Sequence, residues 1–282
     1  MLNRRFFSGF VIAAMVMFLT GCATSPYQGD GKVKSDALLA AQLSFAEETL
    51  TKQQPPRLIY AGFAMHSQSK AFRSDVLTTE KIALIADPSA LIFKLGNPAL
   101  GQDADWPFAT SENIEKVLKK IGDLARPQDK VMLLFSAHGN VDLLGINFSS
   151  RDYPSVNSAF LKKATVALGG KQVLMVLSAC YSGSFLKPLG EPNRIVIAAA
   201  AADKSSFGCQ FQSTNTYFID ALFNQSGLHE RSITQLMDKA KVDVDVREKK
   251  QKLSPPSLPD LAIGAAAKDW ANQPMKNWLS VR

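Results

Sequence analysis

Five short aliphatic runs, each apolar at nearly every position, constrain this chain more than any other feature: Arg57–Phe63 (RLIYAGF), Ile82–Ala86 (IALIA), Val131–Ser136 (VMLLFS), Val173–Ser178 (VLMVLS) and Ile195–Ala200 (IVIAAA). A strand with no polar face belongs in the middle of a parallel sheet covered by helices on both sides. Amphipathic segments lie between the runs. Ser111–Ala125 places Ile114, Val117, Leu118, Ile121 and Leu124 on one helical face, and Pro127 ends it. Tyr217, Phe218, Ala221 and Leu222 mark a second helix, and Ile233, Leu236, Met237, Ala240 and Val244 a third. Strand and helix in alternation predict an α/β domain with a mostly parallel sheet. At 46% hydrophobic and 20% charged residues, wholesale disorder and collagen are excluded. The Pro-rich break Ser254–Pro259 precedes a last apolar run, DLAIGA, and no internal repeat interrupts this single domain.

The amino terminus reads as an export signal. Arg4 and Arg5 precede an apolar stretch, Phe6–Leu19, of 14 residues, short of the roughly 20 that a spanning helix needs. It ends in Leu19-Thr20-Gly21-Cys22, which resembles the lipobox of bacterial lipoproteins, in which the Cys is acylated and becomes the first residue of the mature chain. Ser25, Pro26, Gly29 and Gly31 follow as a tether. The expected organisation is therefore a signal over 1–21, a lipidated tether over 22–35 beginning at Cys22, and a domain over 36–282 with its core in 57–225. Lipid chains at about 0.8 kcal/mol per buried CH2 anchor a protein without a spanning helix. Ala23, where inner-membrane retention would call for Asp, points to the outer membrane, facing the periplasm. The formal charge is +7, and two of the cations lie in the leader. No segment interleaves basic and aromatic residues as a nucleic-acid groove does, so nucleic acid is not an expected partner.

Chemistry in an open parallel sheet collects just past the carboxyl ends of the strands. VMLLFSAHGN puts His138 and Gly139 at one such end, and VLMVLSACYSGSF puts Cys180 at the next. With one crossover helix between them, expected within Ser155–Leu168, the two strand ends become neighbours. A thiol beside an imidazole is a nucleophile with its base. The Gly139 and Cys180 amides are natural donors to an oxyanion. A lone His is more often a satisfied core residue, and a lone Cys a small buried hydrophobe; the pairing and the Tyr-Ser-Gly-Ser turn after Cys180 favour catalysis. Cys209 reads as inert packing, and His66 and His229 as loop or surface residues. An even thiol count in an exported chain invites a disulfide, yet a Cys180–Cys209 bond would silence the nucleophile, so both are expected reduced. No residue group has metal-ligand spacing, and no dinucleotide or phosphate loop is present, so no metal and no cofactor are expected.

The paired motifs resemble those of the caspase-like clan of cysteine peptidases, specifically the legumain family, peptidase family C13. The resemblance covers roughly residues 57–225, including PFATSENIEKVLKKI before the His strand. It implies a caspase-like three-layer sandwich and a cysteine endopeptidase acting on protein or peptide substrates. AAADKSSFGC and NTYFID resemble the segment that builds the family's specificity pocket, which implies substrate-binding roles for Ser206, with Ser205 beside it, and for Asp220 as the acid at the pocket base. Cys209 falls on a family cysteine. The chain also departs from the pattern. Ser178 stands in the pocket set where legumains carry an acid, Ala137 stands where they carry Asp, and the Asn that assists the His is replaced near Ala64. Lys70 or Arg73 stands for the pocket Arg. An acid at Asp220 suits Asn or a basic residue before the scissile bond. The expectation is a lipid-anchored cysteine endopeptidase; a transamidase-like acyl transferase and a catalytically silent peptide-binding lipoprotein are the alternatives.

Overall fold

The computed structural model describes residues 29–99, 102–148, 151–210 and 212–279. The leader 1–21 and the lipidation site Cys22 lie outside the described residues. In chain order the elements are α1 (Asp30–Lys52), β1 (Leu58–Ala64), α2 (Lys70–Ala86), β2 (Leu91–Gly96), α3 (Ser111–Leu124), β3 (Lys130–Ser136), β4 (Gly139–Asn140), β5 (Leu143–Phe148), β6 (Arg151–Val156), α4 (Ser158–Ala164), β7 (Gln172–Ser178), β8 (Arg194–Ala198), α5 (Tyr217–Phe223), α6 (Ile233–Lys250), β9 (Asp260–Ile263), α7 (Lys268–Ala271) and α8 (Met275–Leu279). Six strands form one sheet in the order β2-β1-β3-β7-β8-β9, with every pair parallel except β8–β9.

The two-residue period of a strand sends alternate side chains to opposite faces. Ile59, Ala61, Phe63, Leu133, Phe135, Met175 and Leu177 join one core with α1, α3 and α4. Leu58, Tyr60, Met132, Leu134, Leu174 and Val176 join the other, with α2, α5 and α6. The result is the expected three-layer α/β sandwich, with β1, β3, β7 and β8 apolar on both faces because each face has a helical cover.

Three expectations fail. Ile82–Ala86 is the last turn of α2, not a strand. Ser69 caps this helix by accepting from the Ala71 N–H, and Phe72, Val76, Thr79, Ile82 and Ala83 are buried along it at helical spacing. A short apolar run cannot by itself distinguish a strand from a helix end. The actual edge strand is β2, LIFKLG, whose half-buried Lys94 turns to Glu80 (2.8 Å) instead of breaking the strand. The crossover expected within Ser155–Leu168 is only partly helical: α4 and a 3-10 turn (Val166–Leu168) follow a small antiparallel sheet, β4-β5-β6. Lastly, α1 begins at Asp30, inside the stretch expected as a tether, and its buried Ser35 accepts from the Phe108 N–H at 2.8 Å.

Candidate active site

Register alone aligns the chemistry. Ala64 on β1 pairs with Ser136 on β3, and Ser136 pairs with Ser178 on β7. Two residues past these matched positions stand His66, His138 and Cys180, one on each of three adjacent strand ends. The strand hydrogen bonding continues just beyond the strands: the Met65 N–H donates to Ser136 O (3.0 Å), and the Ala137 N–H donates to Ser178 O (3.2 Å). His138 and Cys180 therefore emerge side by side from the carboxyl edge of the sheet.

The backbone around Cys180 is specialised. Tyr181 sits in the left-handed region at φ 57°, rare for a bulky residue, and turns the chain sharply after the cysteine. Its N–H donates to Lys204 O at 2.7 Å, fastening the turn to the loop that carries Ser205 and Ser206. Gly183 lies so close to the next segment that a Cβ there would sit 2.6 Å from Ala202 N. Gly139 is equally constrained, because a Cβ would lie 2.4 Å from Cys180 O. The His and Cys loops thus meet backbone to backbone.

Ser206 closes around the sulfur. Its N–H donates to Cys180 Sγ at 3.3 Å, its hydroxyl lies 3.7 Å from Sγ, and its carbonyl oxygen is 3.5 Å away. Ser205 Oγ reaches the Tyr181 hydroxyl at 3.4 Å. Cys180 and Cys209 are both free thiols, and burial, followed by the nearby Cys180, pushes the Cys209 thiol up.

The histidines pack edge to face. The His66 and His138 ring centroids are 4.4 Å apart at 88°, and Phe72 stacks edge-on against both. His66 lies in the connection between β1 and α2, a loop position as expected, but it is only 7% exposed and not on the surface. The Gln68 N–H donates to its Nδ1 (3.3 Å), which leaves the proton on Nε2. Burial, then the neighbouring His138, drops His66 to a pKa of about 4, with Asp152 pulling the other way. Burial also lowers His138, again opposed by Asp152. Both rings are held toward the neutral imidazole form.

Two residues expected to bind substrate do something else. Ser178 is buried, with its hydroxyl 2.8 Å from Thr216 Oγ1 and 3.3 Å from Asp75 Oδ2. It lies beneath the site, because the residue two before a strand-end nucleophile is still inside the sheet. Asp220 sits on α5 with its carboxylate 2.9 Å from Arg247 and bonded to Asn224 at 2.7 Å, so it serves the α5–α6 contact and not a pocket floor. Arg73 is likewise occupied, paired with Asp105 at 2.6 Å and stacked over Trp106.

The acid at the site comes from α2. Asp75 is fully buried and accepts from Ser136 Oγ (2.7 Å), Thr216 N (3.0 Å), Thr216 Oγ1 (2.9 Å) and Asn215 Nδ2 (3.1 Å), as well as from Ser178. Burial raises its pKa to about 6, against the pull of those hydrogen bonds. One carboxylate thereby ties together the last residues of the His strand and the Cys strand and the N-cap of α5. Sequence reasoning missed both Asp75 and His66. His66 was findable, since it follows its strand end at the same offset as His138 and Cys180; nothing in the sequence marks Asp75.

A caspase-like α/β sandwich carrying a cysteine and a histidine on adjacent strand ends defines a cysteine peptidase-like protein. The crystal structure of caspase-1 from Spodoptera frugiperda is similar to it with a TM-score of 0.50 and 13% sequence identity, over 75% of this chain and 91% of that one. A model described as the Peptidase C13 family matches residues 111–264, more than half of the chain, and the chain belongs to that family. No curated protein matches it significantly by sequence.

Proposed function

We propose that this chain is a cysteine endopeptidase, exported and held at the bacterial outer membrane by lipid on Cys22, with Cys180 as nucleophile and His138 as general acid/base. The observation that carries the reading is the Ser136–Ser178 register, which brings His138 and Cys180 out side by side, with the Ser206 N–H 3.3 Å from the sulfur.

Cys180 Sγ attacks the scissile carbonyl carbon while neutral His138 takes the thiol proton. The Gly139 and Cys180 N–H groups receive the oxyanion of the tetrahedral intermediate. His138 then gives its proton to the departing amine, and the acyl group remains on sulfur as a thioester. Water, deprotonated by His138, attacks the thioester carbonyl and releases the acid and the thiol. Ser206, beside the sulfur, and its neighbour Ser205 flank the acyl side of the substrate.

The test uses residues 23–282 beside the same chain with Cys180→Ala, incubated with a diverse peptide mixture under reducing conditions. The reading expects new termini from the first protein alone; silence from it while folded would overturn the peptidase. An added amine that captures the acyl group would turn the reading to transamidation. For the anchor, wild-type full-length chain should partition with membranes after signal processing, and Cys22→Ala should not.

A further inference from the structure

A cavity of about 290 Å³ opens on the imidazole side of the crevice, lined by His66, His138, Gly139, Leu143 and Asp152 among others, but not by Cys180, Ser205 or Ser206. The acyl half of a substrate stays on the sulfur, beside Ser206, whereas the amine half departs past His138, which protonates it. Whatever occupies this cavity therefore belongs to the leaving-group half.

Its charge is simple. Asp152 has no cationic partner among the described residues, and its Oδ1 accepts from Asn147 Nδ2 at 2.9 Å. Asn147 is itself buried and fixed, its Oδ1 accepting from Ser67 Oγ (2.9 Å) and its backbone N–H donating to Met65 O (3.0 Å). The carboxylate is thus aimed by a rigid amide, and its field reaches both imidazoles, opposing the effect of their burial. With those rings held toward the neutral form, the cavity carries one unbalanced negative charge.

We infer that this cavity is the subsite for the first residue after the scissile bond, and that Asp152 makes it selective for a cationic side chain, Lys or Arg. The inference rests on the peptidase reading and extends it to the leaving-group side. An ion pair at a partly solvated carboxylate supports a preference of about fivefold.

The experiment takes the reduced protein and a peptide mixture randomised on both sides of the cut, followed by matched peptides with Lys, Arg, Gln or Glu at that first position. Lys and Arg should exceed Gln about fivefold in kcat/KM. The ratio should fall to about one in Asp152→Asn and tilt toward Glu in Asp152→Lys. Cutting by the wild-type protein without a basic preference would overturn the subsite and leave the peptidase standing. A uniform drop for all peptides in Asp152→Asn, with the ratio kept, would make Asp152 a partner of His138 and not a specificity residue. No cutting of any peptide, with Cys180→Ala equally silent, would overturn both readings.

Discussion

Asp75 and His66 lie under and beside the strand ends that carry His138 and Cys180 and respond to pH in opposite senses. Burial lifts Asp75 from its ordinary 3.8 to about 6, so the folded chain holds this proton more tightly than the unfolded one. Its contribution is fully present below the ordinary pKa and is lost as pH rises through about 6. His66, lowered from 6.5 to about 4, works the other way: the unfolded chain takes the proton first, so stability is lost as pH falls from 6.5 toward 4. His138, also lowered, adds to that side. At 1.36 kcal/mol per unit, the Asp75 and His66 contributions are each on the order of 3 kcal/mol and oppose one another between pH 4 and 6. Thermal melts across that window should therefore vary less with pH for the wild-type protein than for either single variant. Asp75→Asn should melt progressively higher as pH rises, and His66→Gln progressively lower; flat curves for both variants would refute the opposition. Asp75→Asn also replaces an acceptor with a donor facing Ser136 and Thr216. A kcat loss of at least about tenfold should accompany it if this carboxylate holds the two strand ends in register. At this scale the sequence reveals residues that sit where chemistry must sit, His138 and Cys180 at strand ends. It does not reveal Asp75, whose role depends on a helix crossing two strands far from it in sequence.

Elements were legible in proportion to how much local pattern decided them. The four strands β1, β3, β7 and β8 are buried on both faces and announce themselves, and α3 shows a clean apolar stripe capped by Thr110. Ile82–Ala86 misled because its apolar residues end a helix whose solvent side is also apolar: Ile85 is exposed. The hairpin region 139–156 was opaque because its strands are short and partly exposed, with register irregular near Leu144. Yet this small sheet bears on the site. Its β4–β5 turn residue Asp142 donates its N–H to Ser184 Oγ at 2.9 Å, joining the His hairpin to the turn after Cys180. Two glycines in the hairpin separate close approach from mere proximity. A Cβ on Gly139 would lie 2.4 Å from Cys180 O, whereas one on Gly145 would lie 3.4 Å from His138 O, an ordinary contact. Gly139→Ala should thus cost about 1–3 kcal/mol in stability and lower kcat/KM at least about tenfold by parting the two loops. Gly145→Ala should leave stability nearly unchanged. Equal effects from the two in denaturant melts would show that the backbone approach does not matter.

Across the whole molecule, the two ends of the sheet have different tasks. The carboxyl ends carry His66, His138, Cys180 and the tie to Asp75. The amino ends carry a buried ion pair, Arg57 with Asp129, at the starts of β1 and β3. Arg57 Nε donates to Asp129 Oδ1 at 3.0 Å, and one guanidinium nitrogen reaches Leu124 O at 3.1 Å at the end of α3. Another reaches Leu50 O near the end of α1. Asp129 also accepts from the Arg57 N–H (2.9 Å) and the Arg126 N–H (2.7 Å). The pair therefore holds two strands and two helices together at the end farthest along the strands from the chemistry. Removing one partner strands the other as a buried charge, which costs about 3–5 kcal/mol. Arg57→Met should lower the denaturant midpoint strongly. Per folded molecule, kcat and the leaving-side preference should stay at wild-type values, because no residue of the dyad or of the Asp152 cavity touches the pair. Asp75→Asn should show the reverse pattern, a large kcat loss for a modest change in stability at neutral pH. Measuring kcat against the folded fraction for the two variants separates the ends. If Arg57→Met also changed the kcat of folded molecules, the site would depend on the packing of the whole sheet and not on its carboxyl edge alone.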